Sequence, residues 1–221
     1  METPHLSIGM KAPDFTATTT LGTVRLSDYK GRWVVLFSHP GDFTPVCTTE
    51  FIAFSKAQPQ FAARNAQLLG LSIDSNPSHL AWISAIYRST GVQVPFPVIA
   101  DRDGSIARLY GMIAPQASTQ ETVRNVFFID PEQTVRAILI YPLTNGRSIS
   151  EVLRLLSALQ TTDSDKVVTP ADWQPGQQAL VPPPQTYEGL VERRASPSPQ
   201  DLECKDWFLC YRRLPEDAQQ R

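Results

Sequence analysis

Residues 33–51, WVVLFSHPGDFTPVCTTEF, constrain this chain more than any other stretch. Trp33-Val34-Val35-Leu36-Phe37 is a short run of apolar, β-branched and aromatic residues, the pattern of a strand covered on both faces. His39-Pro40-Gly41-Asp42 breaks that run. Thr44 then suits an N-cap, Pro45 suits the first helical position because its missing N–H would be unpaired there anyway, and Cys47 falls in the first turn. The expectation is a buried strand, a tight loop and a helix start, with one cysteine at the hinge. Free backbone N–H groups and the helix dipole at such a place favour a thiolate, the nucleophilic form of the side chain. The ordinary alternative for a lone thiol is a small side chain filling space in a core.

The 221 residues suffice for one good core plus an extension, and 42% hydrophobic with 19% charged residues is ordinary globular composition. A net charge of -2 argues against a nucleic-acid surface. Apolar runs are interrupted within about ten residues, too short to span a membrane. The start, Met1-Glu2-Thr3-Pro4-His5, lacks the basic and apolar regions of a secretory signal, so a cytoplasmic protein is expected. Three cysteines, Cys47, Cys204 and Cys210, are too few for a secreted disulfide framework. In a reducing compartment such residues are more often catalytic or metal-binding than structural.

Taken in order, Thr18 to Leu26 reads as a hairpin turning at Leu21-Gly22. After the cysteine, Phe51, Ile52, Phe54 and Phe61 carry a helix toward Asn65, with Pro59 as a kink. Gln67 to Asp74 is a strand, and Ser78 opens a helix that ends at Gly91, with Trp82 in the core. Phe96 to Ala100 is a short strand, and Asp103-Gly104-Ser105 opens a helix to Tyr110. The polar run Ala114 to Glu121 reads as a loop. Thr122 to Asp130 and Thr134 to Tyr141 form a hairpin, and Ser148 to Gln160 is an amphipathic helix capped by Ser148 and Glu151. Strands alternating with helices, then a hairpin, then a helix, is the order of an α/β layer structure. Eight of the nineteen prolines lie beyond Thr161, so that region is expected to be an extended arm with short helical pieces.

Pro40, Thr44 and Cys47 form Pro-x-x-x-Thr-x-x-Cys, framed by Ser38-His39 and Thr48-Thr49-Glu50. This stretch resembles, without a gap, the active-site loop of peroxiredoxins of the one-cysteine subgroup. Gly9-Met10-Lys11-Ala12-Pro13-Asp14-Phe15 resembles the opening of the family, and Asp172-Trp173-Gln174-Pro175-Gly176 a segment of the subgroup's C-terminal extension. Pattern and resemblance together imply a thioredoxin-like fold, a central mixed sheet flanked by helices, over residues 1–161, with a C-terminal extension arm over 162–221. No Cys-x-x-Cys occurs, which counts against a plain disulfide oxidoreductase.

The resemblance implies that Cys47 attacks the O–O bond of hydrogen peroxide or an organic hydroperoxide and becomes a sulfenic acid. Thr44 and the first-turn N–H groups would hold the peroxide oxygens while Pro40 shields the thiolate; no cofactor or metal is required. Attack on a peroxide needs a thiolate, in-line geometry and donors for charge on the leaving oxygen. A partly desolvated thiolate also needs a permanent cation. Arg124 matches the family's active-site arginine, and Arg147 a second one. Glu50 could orient an arginine, although a surface pair of little weight is the ordinary expectation. His39 lies beside the pocket as a hydrogen-bonding or packed residue, while His5 and His79 have no motif around them.

Cys204-Lys205-Asp206-Trp207-Phe208-Leu209-Cys210 resembles the tail of archaeal-type members with extra C-terminal cysteines. That likeness implies Cys210 as the resolving residue, in an interchain disulfide with Cys47, and Cys204 as its later intrachain partner; free thiols or a zinc pair are the alternatives. Thioredoxin or a similar dithiol would supply electrons. Apolar residues of the arm, Leu180, Val181, Tyr187, Leu190 and Trp207, would pack on a neighbouring subunit, giving a dimer and, by family habit, a pentamer of dimers. A one-cysteine cycle with an external thiol and an oligomeric holdase role are the other readings.

Overall fold

The computed structural model describes residues 6–195 and 201–214. The N-terminal start, with His5, lies outside the described residues. The chain divides into two compact units, Met1–Ile149 and Ser150–Arg221.

The first unit runs β1 (Thr16–Thr19), β2 (Gly22–Arg25), β3 (Trp33–Ser38), α1 (Pro45–Ala63), β4 (Ala66–Ser72), α2 (Asn76–Thr90), β5 (Val98–Ala100), α3 (Ser105–Leu109), β6 (Arg124–Ile129) and β7 (Val135–Tyr141). Its strands form one seven-stranded mixed sheet in the order β2-β1-β5-β4-β3-β6-β7. Every residue of β3 is buried, as the apolar run Trp33–Phe37 requires of a strand with a neighbour on each side. It runs parallel to β4, with Phe37 opposite Gly70, and antiparallel to β6, with Phe37 opposite Val126. That antiparallel pairing brings the end of β3 beside the start of β6.

Helix α1 is laid on this sheet by an aromatic cluster. Phe37 stacks on Phe54 with centroids 4.1 Å apart and meets Phe51 edge-on at 5.6 Å. Gly70 is what lets the rings approach: a Cβ there would lie 3.3 Å from Phe51 and 3.4 Å from Phe37. The helix continues through Pro59 to Ala63. Helix α2 begins at Asn76, two residues before the Ser78 start that the sequence suggests, because Ser75 is the N-cap and its side chain accepts from the Ser78 N–H. It ends at Gly91, whose left-handed backbone closes the helix.

The second unit contains α4 (Ile149–Asp165), β8 (Ala179–Leu180), α5 (Tyr187–Ala195), β9 (Leu202–Asp206) and β10 (Leu209–Arg212). The amphipathic helix α4 runs past Gln160 to Asp165. The expectation of an extended arm is corrected in two respects. The tail forms a hairpin, β9 with β10, that joins β8 in a three-stranded sheet. It also has a small core of its own, Ala158, Val167, Trp173, Ala179 and Leu214. Trp173 is fixed there by its indole N–H donating to the Gln177 carbonyl at 3.2 Å, while Arg154 donates to the Trp173 carbonyl at 3.0 Å. No described helix is long and apolar enough to cross a membrane.

Truncating Phe54 removes the ring stacked on Phe37. Phe54→Ala is expected to lower stability by about 3–5 kcal/mol, read as an earlier midpoint in urea unfolding followed by circular dichroism. A loss below about 1 kcal/mol would contradict the packing.

Candidate active site

Cys47 is the third residue of α1 and is fully buried. The Arg124 Nη1 lies 3.3 Å from its sulfur. Arg124 is the first residue of β6, so the antiparallel pairing with β3 carries it to the end of the sheet from which α1 departs. Its Nε and Nη2 both donate to the Leu143 carbonyl, at 3.0 and 2.7 Å, which aims the remaining Nη1 at the sulfur and at Glu50.

Glu50 is buried rather than at the surface, and it holds both arginines. Its Oε2 accepts from Arg124 Nη1 at 2.8 Å and from Arg147 Nη2 at 2.7 Å. Its Oε1 accepts from the Arg147 backbone N–H at 2.8 Å and from Nε at 2.9 Å. The remaining Arg147 nitrogen, Nη1, donates to the carbonyls of Ser38 and Asn125, both at 2.9 Å. The guanidinium carbon also sits 5.3 Å from the Phe37 ring centroid and 5.6 Å from that of Phe54. The sequence expectation of a weak surface pair fails because Arg147, though distant in sequence, returns over the sheet to cover the carboxylate.

Burial opposes ionisation of Glu50, but the hydrogen bonds and charge of Arg147, with Arg124 adding to them, hold its carboxyl below the ordinary range. Burial presses the Arg147 guanidinium downward, and Glu50 counters it. Two guanidinium groups and one carboxylate leave the buried cluster with one surplus positive charge.

Thr44 occupies the N-cap position, with Pro45 following, as its sequence predicts. Its side chain does not cap, however: the hydroxyl donates to the Gly41 carbonyl at 2.9 Å. The Thr44 carbonyl accepts from the N–H and the hydroxyl of Thr48. Pro40 is buried in the same loop. His39 is fully buried, stacked on Trp82 at 5.1 Å, and its Nε2 donates to Asp42 at 3.0 Å. Burial pushes the His39 ring below its ordinary value, and Asp42 only partly offsets this. His79, to which the sequence assigns nothing, contacts the same Asp42 carboxylate at 2.9 Å. No motif marks it, since helical spacing alone shows only a residue on the inner face of α2.

Thus Cys47, Arg124, Glu50 and Arg147 form one bonded cluster, with Thr44 and His39 on the loop that leads into it. In the second unit Cys204 and Cys210 are joined by a disulfide across the β9–β10 hairpin, where they face each other in register. Cys47 is a free thiol, and Cys210 is buried.

Residues 8–138 match the AhpC/TSA family, and residues 158–196 match the C-terminal domain of 1-Cys peroxiredoxin. Peroxiredoxin 2 of Caldanaerobacter subterraneus subsp. tengcongensis is 56% identical over 94% of this chain and 93% of its own length. A peroxiredoxin of Aquifex aeolicus is 50% identical over 94% of this chain and 96% of its own. Among solved structures, a mutant of peroxiredoxin 6 of Arenicola marina has a TM-score of 0.84 at 36% identity, covering 96% of this chain and 99% of that one. The yeast mitochondrial 1-Cys peroxiredoxin has a TM-score of 0.81 at 40% identity, covering 95% and 100%. The chain therefore belongs to the peroxiredoxin family and is a thiol peroxidase of thioredoxin-like α/β fold.

Proposed function

We propose that Cys47 is the peroxidatic nucleophile and that Arg124, Glu50 and Arg147 form its electrostatic support. The observation that carries this reading is the Arg124 Nη1 at 3.3 Å from the sulfur, within a buried cluster bearing one surplus positive charge. A Cys47 thiolate balances that charge. The thiolate attacks one oxygen of the hydroperoxide, the O–O bond breaks, and the sulfur becomes a sulfenic acid while the other oxygen leaves and takes a proton as water or alcohol. Arg124 and the first-turn N–H groups meet the charge that develops on the leaving oxygen. The Thr44 hydroxyl exchanges its Gly41 carbonyl contact for a peroxide oxygen, Pro40 keeps water from the sulfur, and His39 packs behind the loop.

For turnover, Cys210 of the partner subunit attacks the sulfenic acid, water leaves, and an interchain disulfide forms. Cys204 then attacks Cys210, freeing Cys47 and leaving the Cys204–Cys210 bond for thioredoxin or a similar dithiol to reduce. The bonded pair on the hairpin supports this order, because it is the product such an exchange would leave. Exposed Tyr187 and part-exposed Leu180, Val181, Leu190 and Trp207 support assembly through the arm, a dimer at least and, by family habit, a pentamer of dimers. The second reading is a one-cysteine cycle in which an external thiol resolves Cys47. It is favoured by the same disulfide, which occupies Cys210, and the yeast mitochondrial relative's structure is described as showing thiol resolution via glutathione/thioredoxin systems.

Cys47→Ser is expected to abolish peroxide consumption; retained turnover would remove the nucleophile assignment. Cys210→Ser is expected to keep the first turnover and stop the thioredoxin-coupled steady state. Unchanged steady-state rates there would select the one-cysteine cycle. Because Glu50 is held below its unfolded value, its stabilisation is complete above about pH 4.5 and is lost as pH falls through the lower folded value. Glu50→Gln should therefore cost about 3 kcal/mol at pH 7 and flatten the acid side of a plot of melting temperature against pH. An acid limb as steep as that of the unmodified protein would show that the ion cluster does not set it.

A further inference from the structure

Asp42, in the loop between β3 and α1, is the hub of a second buried network. Its carboxylate accepts from His39 Nε2 at 3.0 Å and from the Ser78 hydroxyl at 2.7 Å, and it lies 2.9 Å from His79 Nδ1. Its backbone N–H donates to Asp74 at 3.0 Å, and the same Asp74 oxygen accepts from the Ser72 hydroxyl. The other His79 nitrogen, Nε2, donates to the Ile99 carbonyl at 3.2 Å, which ties the ring to β5. Burial opposes ionisation of Asp42, but the hydrogen bonds from His39 and His79 hold it well below the ordinary carboxylate range.

Two side chains on the first turns of α2, Ser78 and His79, therefore grip a loop that belongs to α1. Asp42 follows Gly41, whose carbonyl receives the Thr44 hydroxyl, and Thr44 is the N-cap of the helix that carries Cys47. A shift of the Asp42 carboxylate is passed to that carbonyl and hydroxyl through two or three bonds of main chain. Two histidines and a carboxylate are also the makings of a metal site. The contacts of 2.9 and 3.0 Å are hydrogen-bond distances, shorter than the roughly 3.3 Å between ligands around a tetrahedral ion with bonds near 2.0 Å. Hydrogen bonds account for them.

We infer that His79 is a positioning residue for the peroxide-binding loop: acting through Asp42, it sets the placement of Thr44 and of the first turn that bears Cys47. The inference rests on the assignment of Cys47 and Thr44 above. The two ring nitrogens serve different partners, so two conservative substitutions separate them. In His79→Asn the amide nitrogen takes the place of Nδ1 and keeps the Asp42 contact. In His79→Gln it reaches the place of Nε2 and keeps only the Ile99 contact.

The measurement is the second-order rate constant for oxidation of the protein by hydrogen peroxide in a single turnover, by stopped flow, with folding of each variant followed by circular dichroism. His79→Asn is expected within about threefold of the unmodified protein, and His79→Gln about tenfold or more below it. Equal rates, a reversed order, or failure of either variant to fold would overturn the inference and make His79 a residue of the fold alone. Cys47→Ser, run alongside, distinguishes this from failure of the nucleophile assignment: peroxide oxidation that survives it sinks that assignment, whereas a tie between the two His79 variants sinks only the role given to His79.

Discussion

One carboxylate, that of Glu50, is the constraint on which the geometry around Cys47 depends. A buried ion pair earns little net stability, because desolvation of each partner offsets most of the attraction. What makes this one tenable is that four of the five guanidinium N–H groups of Arg147 are used, two against Glu50 and two against the Ser38 and Asn125 carbonyls in β3 and β6. Glu50 is thereby locked to the sheet rather than merely paired. Arg124 inherits that rigidity through Oε2 and through the Leu143 carbonyl.

The topology explains how residues 77 positions apart come together. Strand β3 ends where β6 begins because the two run antiparallel, so the loop leaving β3 and the first side chain of β6 share one edge of the sheet. The parallel neighbour β4 delivers a second loop to the same edge, ending in Ser72 and Asp74 and leading to α2. The site is thus built from three strand ends and the helix starts that follow them. The aromatic cluster under α1, with Gly70 left bare to admit it, fixes the height of the helix above that edge.

Much of this was legible in the residues. The strand and the helix start around Cys47 follow from hydrophobic periodicity, Pro45 and the loop-breaking residues, and they need no tertiary information. Arg124 and Arg147 were identifiable through resemblance, but their depth was not: a guanidinium is read as solvated until the carboxylate that permits its burial is known. Glu50 illustrates the same limit from the other side, since its four hydrogen bonds come from residues 74 and 97 positions away. His79 was illegible for a related reason. Its inner-face position on α2 predicts burial, whereas its polar partners, Asp42 and Ile99, lie on other elements. The β9–β10 hairpin was hidden by a proline-rich composition that suggests an extended arm, although the prolines lie outside the two strands.

The threonine that should cap α1 instead turns its hydroxyl back to Gly41. A helix that forgoes a side-chain cap gives up about 1 kcal/mol at its amino end, and that deficit falls on the turn containing Cys47. Any unwinding of α1 from this end would reach the sulfur first, while Glu50, one turn further on and clamped to two arginines, marks the point at which it would meet resistance. Opening of that first turn would move Cys47 without the charged scaffold behind it coming apart.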